Sequence, residues 1–274
     1  MKLVTFELAT DLGRVERVGA LVGDDIVDLT LAYADLLRSQ GEARAYELAT
    51  CRIPPDMIKF FEGGKSAHSE AQKALKHVNK RLKTESDARG ERGEKLVHKR
   101  DQVKLLAPVP LPNSVRDTLN FEQHMKNALS ALNMSIPKLW YEIPAYYSSN
   151  RGIVAGTDDP ILWPKFTEKL DYELEYGIYI GKYGVNIPES EAEEYIAGYT
   201  IYNDVSARDI LSREMSLWTG PAKGKNFLNG HIMGPCVVTP DDIGDPYNLK
   251  MVARVNGEVW SQGNSKDMFH KFPK

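Results

Sequence analysis

From Leu170 to Gly181 the chain alternates. Leu170, Tyr172, Leu174, Tyr176, Ile178 and Ile180 are apolar or aromatic, and Asp171, Glu173, Glu175, Gly177 and Tyr179 fill the positions between them. Side chains two residues apart share a face of a strand, so this period predicts one strand with its apolar face on the core. Glu173 and Glu175 then sit together on the opposite face, about 7 Å apart at a rise of about 3.3 Å per residue. Two carboxylates so placed repel, and either a solvated strand face or a cation held between them relieves the repulsion.

The pattern elsewhere predicts further elements. Residues 1 to about 30 read as short strands, with Val15–Val22 turning at Asp24–Asp25 into Ile26–Leu29. Leu29–Ala49 reads as a helix, carrying Leu31, Leu36, Leu37 and Leu48 among good helix formers. Ser66–Arg100 is densely charged with mixed signs, as in a solvated surface helix or arm. Pro108, Pro110 and Pro112 alternate in an extended stretch suited to a domain boundary. We therefore divide the chain into a small N-terminal domain with its connector (1–104) and a larger, strand-dominated domain (105–274). In the latter, Ser190 and Glu193 have capping-box spacing and predict a short helix to about Ala197, stopped by Gly198. Strands follow at Tyr199–Tyr202 and Pro235–Thr239, and Asn256-Gly257 is a strong hairpin signal.

The formal charge of −3 provides no general attraction to nucleic acid or anionic membrane. Cys51 and Cys236 lie too far apart in sequence for a disulfide framework or zinc motif, and read as buried free thiols. There is no signal-peptide run and no membrane-spanning stretch, so a cytoplasmic location is expected.

Carboxylates dominate the candidate chemistry: Asp117, the Glu173/Glu175 pair, and Asp204 just after a strand. Oxygen ligands without a Cys/His set favour a hard cation, Mg²⁺, Mn²⁺ or Ca²⁺, over zinc. His124 becomes a candidate general base if the fold brings it beside that cation; otherwise it is a surface or structural histidine. Arg208 and Lys225 offer fixed positive charge for an anionic substrate, or ordinary ion pairing. Gly220–Lys225 lacks the spacing of a phosphate loop, since Asn226 follows the lysine. Trp140-Tyr141 and Tyr146-Tyr147 line a pocket or fill a core.

Four segments in order carry a resemblance: Val115–His124, Leu170–Glu175, Tyr202–Ile210 (Tyr-Asn-Asp-Val-Ser-Ala-Arg-Asp-Ile) and Gly220–Phe227, continued by Gly234–Thr239. In these the chain resembles the fumarylacetoacetate hydrolase family. The resemblance implies an α+β, strand-dominated fold, with a mixed β-roll and a small N-terminal α/β domain. It implies Asp117, Glu173, Glu175 and Asp204 as ligands of Mg²⁺ (alternatively Mn²⁺ or Ca²⁺) and His124 as the water-activating base. Arg208 and Lys225 would be catalytic and substrate-binding, and Tyr147 substrate-binding. The implied activity is hydrolytic C–C cleavage of a 1,3-dicarbonyl acid such as an acylpyruvate, in breakdown of aromatic compounds, by a homodimer.

Two alternatives stand beside it: a decarboxylase, isomerase or dehydratase working through an enolate of a 2-oxo acid, and an inactive metal-binding paralogue. The chain departs from the family at Leu211, where fumarylacetoacetate-cleaving members carry glutamine, and at Leu119, where they carry tyrosine; both imply a smaller or less polar substrate. Asn127 removes the His-x-x-Glu dyad of smaller members, leaving Glu122 or a distant acid as partner for His124. Family members also continue past the Asn256-Gly257 hairpin, so the resemblance implies that a C-terminal segment is missing here.

Overall fold

A computed structural model describes residues 1–130, 133–217 and 220–274. The N-terminal strands are Lys2–Thr10 (β1), Gly13–Val22 (β2) and Asp25–Asp28 (β3), followed by helices Leu29–Ser39 (α1), Ala45–Arg52 (α2), Met57–Glu62 (α3) and Gly64–Arg81 (α4). Val97–Lys99 (β4) and Lys104–Leu105 (β5) lead to Val115–Thr118 (β6), Glu122–Ser130 (α5), Tyr146–Ser149 (β7) and Val154–Ala155 (β8). Leu170–Asp171 (β9), Glu175–Ile180 (β10), Ile196–Asp204 (β11) and Ser206–Ala207 (β12) precede Arg208–Met215 (α6). His231–Val238 (β13), Pro240–Ile243 (α7), Lys250–Val255 (β14) and Glu258–Asn264 (β15) complete the named elements.

Seven strands run in the order β10-β11-β13-β1-β2-β3-β4, with β5 added to β1 and β8 to β13. Every pair in this sheet is antiparallel except β8–β13, so it is mixed. The fold is strand-rich α+β, as expected. Pairing of Leu3 with Val237 joins strands from before and after residue 104 in one sheet. Alternation along β1 serves both faces. Leu3 packs with Val18, Val27, Tyr33 and Ala71 beneath the helices, while Val4 and Phe6 pack with Ile26, Leu105 and Cys236 on the other side.

Helix α1 starts at Leu29 because the Asp28 carboxylate accepts from the Leu31 amide at 2.9 Å, itself clamped by two hydrogen bonds from Arg17. The predicted single helix over 29–49 is two helices. The chain turns between them, with Gly41 at a φ of 86°, a conformation that ends helices. The charged stretch from Ser66 is helical to Arg81 and is anchored by Ala67, Ala71, Ala74 and Val78, a buried stripe at helical spacing.

Three other expectations are corrected. The capping box at Ser190 does not form: Glu189–Tyr195 is a 3₁₀ turn following Pro188, with no side-chain cap. Gly198 lies within β11 rather than ending a helix. A Cβ there would sit 2.4 Å from Val237 Cγ1 and 2.6 Å from the Val238 carbonyl oxygen, so strand packing requires the glycine. Cys51 is exposed, and only Cys236 of the pair is buried.

The strand predicted over 170–181 is also interrupted. Its first part, β9, pairs with β12, whereas its second, β10, pairs with β11. Between them the Glu173 amide donates to the Asn203 side chain at 2.9 Å. The facing differs as well: Tyr179 packs into the core, and Ile180 is 59% exposed.

Candidate metal centre

Three strand pairings bring the acidic residues together. The antiparallel β6–β7 pair places Asp117 opposite Tyr147; the β10–β11 ladder pairs Glu175 with Tyr202; and β11 ends at Asp204, opposite His231 of β13. Glu173 lies in the link just before β10 rather than on the face of a continuous strand. One carboxylate oxygen from each of Asp117, Glu173, Glu175 and Asp204 then falls within 4.8 Å of the others. The four residues predicted as ligands thus converge.

Lys225 is the counterweight. Its ammonium is buried and lies 2.7 Å from Asp204 Oδ2 and 2.9 Å from Glu173 Oε1. Glu173 Oε1 also accepts from Ser206 at 2.8 Å and from Arg208 at 2.7 Å. Arg208, the first residue of α6, reaches Asp171 at 3.0 Å and is more exposed than Lys225. The Tyr147 hydroxyl donates to Asp204 Oδ2.

Electrostatics divides the four carboxyls. Burial raises Asp117 to about 7, with Asp204 adding repulsion. Burial, followed by Asp117, drives Glu175 well above the usual carboxylate range. Burial also acts on Glu173, but Lys225, the hydrogen bond with Glu175 and Arg208 outweigh it and hold Glu173 low. Asp204 is held low in the same way by His231 and Lys225. Lys225 stays charged because Asp204 and Glu173 outweigh its desolvation.

These residues fit a hard divalent cation. All four donors are carboxylates, as Mg²⁺, Mn²⁺ and Ca²⁺ require. If all are ionised, Lys225 and Arg208 leave an excess of two negative charges, which one such ion balances. Asp204 Oδ1 is buried and makes no hydrogen bond among the described residues, though His231 Nδ1 stands 2.9 Å away, and a ligating ion would satisfy it.

His124 is exposed on α5 and is not among the converging residues. Glu122 is not its partner: that carboxylate accepts from Tyr141 at 2.7 Å and pairs with Lys126 at 3.1 Å. Trp140 is buried beside His270, with the exposed Phe269 ring against it, and donates to the Leu119 carbonyl at 2.7 Å. Sequence reasoning missed His231, which is wholly buried with Nδ1 2.9 Å from Asp204 Oδ1. No motif marks it; only the β11–β13 register places it opposite Asp204.

The fold agrees with comparisons to known proteins. The profile of the fumarylacetoacetate (FAA) hydrolase C-terminal region matches residues 113–274. The chain belongs to the fumarylacetoacetate hydrolase family. It is 33% identical over 220 residues to the mitochondrial oxaloacetate tautomerase Fahd2a of Rattus norvegicus, a match covering 80% of this chain and 62% of that protein. It thus spans under two thirds of that relative's length. Among solved structures, maleylpyruvate hydrolase from Sphingobium sp. SYK-6, in complex with manganese(II) and pyruvate, has a TM-score of 0.65 at 21% identity. That match covers 100% of this chain and 80% of the other. A fumarylacetoacetate hydrolase from Exiguobacterium antarcticum has a TM-score of 0.63 at 23% identity, covering 99% and 78%. Among the described residues, no helix is long and apolar enough to cross a membrane.

Proposed function

We propose that this protein catalyses keto–enol interconversion of a small 2-oxo acid of the oxaloacetate type. One observation carries the reading: four carboxylates, Asp204 buried and the other three half-buried, converge with a charged lysine built into their midst. A divalent cation held by Asp117, Glu173, Glu175 and Asp204 would supply the positive charge that makes an enolate accessible near neutral pH. Lys225 keeps its proton and adds fixed charge beside the same oxygens, so the developing anion meets a preorganised site. Arg208, more open to solvent, receives the substrate carboxylate. Tyr147 fixes Asp204 through its hydroxyl.

Hydrolysis of a C–C bond makes a further demand, a base that activates water. The residue predicted for that role, His124, is exposed and outside the acidic group. Enolisation also needs a base, one that takes the proton from the carbon beside the carbonyl and returns it there in the reverse direction, and needs no activated water; the 33% identity to an oxaloacetate tautomerase supports it. Acylpyruvate hydrolysis in aromatic breakdown remains the second reading, supported by Arg208 and Lys225 standing at the acidic centre. A homodimer and a cytoplasmic location are carried with both readings. Light scattering tests the dimer.

The deciding assay follows enol absorbance of oxaloacetate with Mg²⁺ or Mn²⁺. We expect faster approach to the unchanged keto–enol equilibrium than with the cation alone, and no CO₂ release. An acylpyruvate split into two acids establishes hydrolysis instead, and CO₂ from oxaloacetate establishes decarboxylation. Cation binding without turnover of either compound leaves the inactive-paralogue reading.

A further inference from the structure

His231 touches both halves of the acidic centre. The β6–β7 pair, which carries Asp117 and Tyr147, is a separate two-stranded sheet with no ladder to the main sheet among the described residues. Its nearest backbone tether is the following strand β8, which pairs with β13 at His231, and side chains add to that tether in setting its distance from Asp204. The Tyr147 hydroxyl provides one tie, to Asp204 itself. The second is the His231 ring: Nε2 meets Ser149 Oγ at the end of β7, while Nδ1 lies 2.6 Å from the Tyr202 hydroxyl and 2.9 Å from Asp204 Oδ1. His231 is wholly buried, and its backbone is fixed between β11 and the parallel strand β8.

We propose that His231 is a positioning residue for the cation site, acting through Asp204 and the strand pair that carries Asp117 rather than by touching substrate. A neutral imidazole has one N–H and one lone pair. When Ser149 donates to Nε2, the N–H is at Nδ1, where the Tyr202 hydroxyl lies 2.6 Å away and Asp204 Oδ1 2.9 Å away. The ring thereby ties the Asp204 carboxylate and Tyr202 to the β6–β7 pair. Such outer partners of ligand side chains typically govern cation affinity by about 10–100-fold. The inference rests on the cation-site reading given above.

The test is Mn²⁺ affinity, measured by calorimetry and by the electron paramagnetic resonance signal of free Mn²⁺, on wild type and on His231→Phe, His231→Asn, Ser149→Ala and Tyr202→Phe. His231→Phe keeps the ring volume but loses every polar contact, and should weaken Mn²⁺ binding by about 10–100-fold. Asn places an amide nitrogen near the position of Nδ1, so His231→Asn should regain most of that loss. Ser149→Ala should weaken binding in the same direction, and adding it to His231→Phe should cost little more. Circular dichroism without metal checks the fold of each variant; should His231→Phe not fold, Ser149→Ala and Tyr202→Phe decide. Folded variants that bind Mn²⁺ as wild type does overturn the role of His231. A wild-type protein that binds no Mn²⁺ overturns the cation site itself, a separate failure.

Discussion

Lys225 Nζ lies 2.7 Å from Asp204 Oδ2, with the two side chains 4% and 0% exposed. The pair is inside the protein, and the same ammonium also serves Glu173. Removing one partner of such a pair leaves an uncompensated buried charge, a loss of about 3–5 kcal/mol. We therefore expect Lys225→Met to lower unfolding free energy in urea by about that amount in metal-free buffer at pH 7. It should also abolish turnover even with saturating Mg²⁺.

Glu175→Gln should act in opposite directions on the two states. Without metal it removes a carboxyl that burial and Asp117 disfavour as an anion, so thermal stability should rise. With metal, wild type should gain roughly 2.7 kcal/mol at a cation concentration about 100 times Kd, and the variant little or nothing. Thermal melts with and without Mg²⁺ read both effects. Equal metal-induced shifts in the two proteins would remove Glu175 from the ligand set.

Gly198→Ala tests packing between β11 and β13. The added methyl would meet Val237 and the Val238 carbonyl at separations that require the backbone to shift. Overpacking of this kind costs about 1–3 kcal/mol, which urea unfolding should resolve. Unchanged stability would mean that the two strands separate freely at this point.

His98 should make stability depend on pH. It lies against Phe6, and its Nε2 is buried without a hydrogen-bond partner among the described residues. Burial lowers its pKa, so the folded state binds its proton less readily than the unfolded chain. The stability present above the ordinary imidazole value of about 6.5 is lost progressively as pH falls below it toward the folded-state value. His98→Phe should flatten this part of the profile; an equal slope in both proteins would assign it to other groups.

Local chemistry was legible in the sequence. Asn256 and Gly257 both adopt positive φ, 51° and 87°, and join β14 to β15 as their dipeptide predicts, because a two-residue turn depends on little beyond itself. The Glu-x-Glu pair and the Asn-Asp-x-Ser-Ala-Arg run marked the acidic centre because cation chemistry restricts which side chains can serve. The alternation over 170–181 correctly indicated strand, yet could not reveal that its two parts pair with different partners, or that Tyr179 turns inward.

The sequence by itself determined the residue types at the centre, the strand-rich character of the chain and its family. Only the tertiary structure decided which of those residues meet. It sealed Lys225 among the carboxylates, left His124 on an open helix and put His231 against Asp204. The physical reason is that these contacts are set by strand register and burial between segments far apart in the chain. A histidine carries no local sign of which strand it will face.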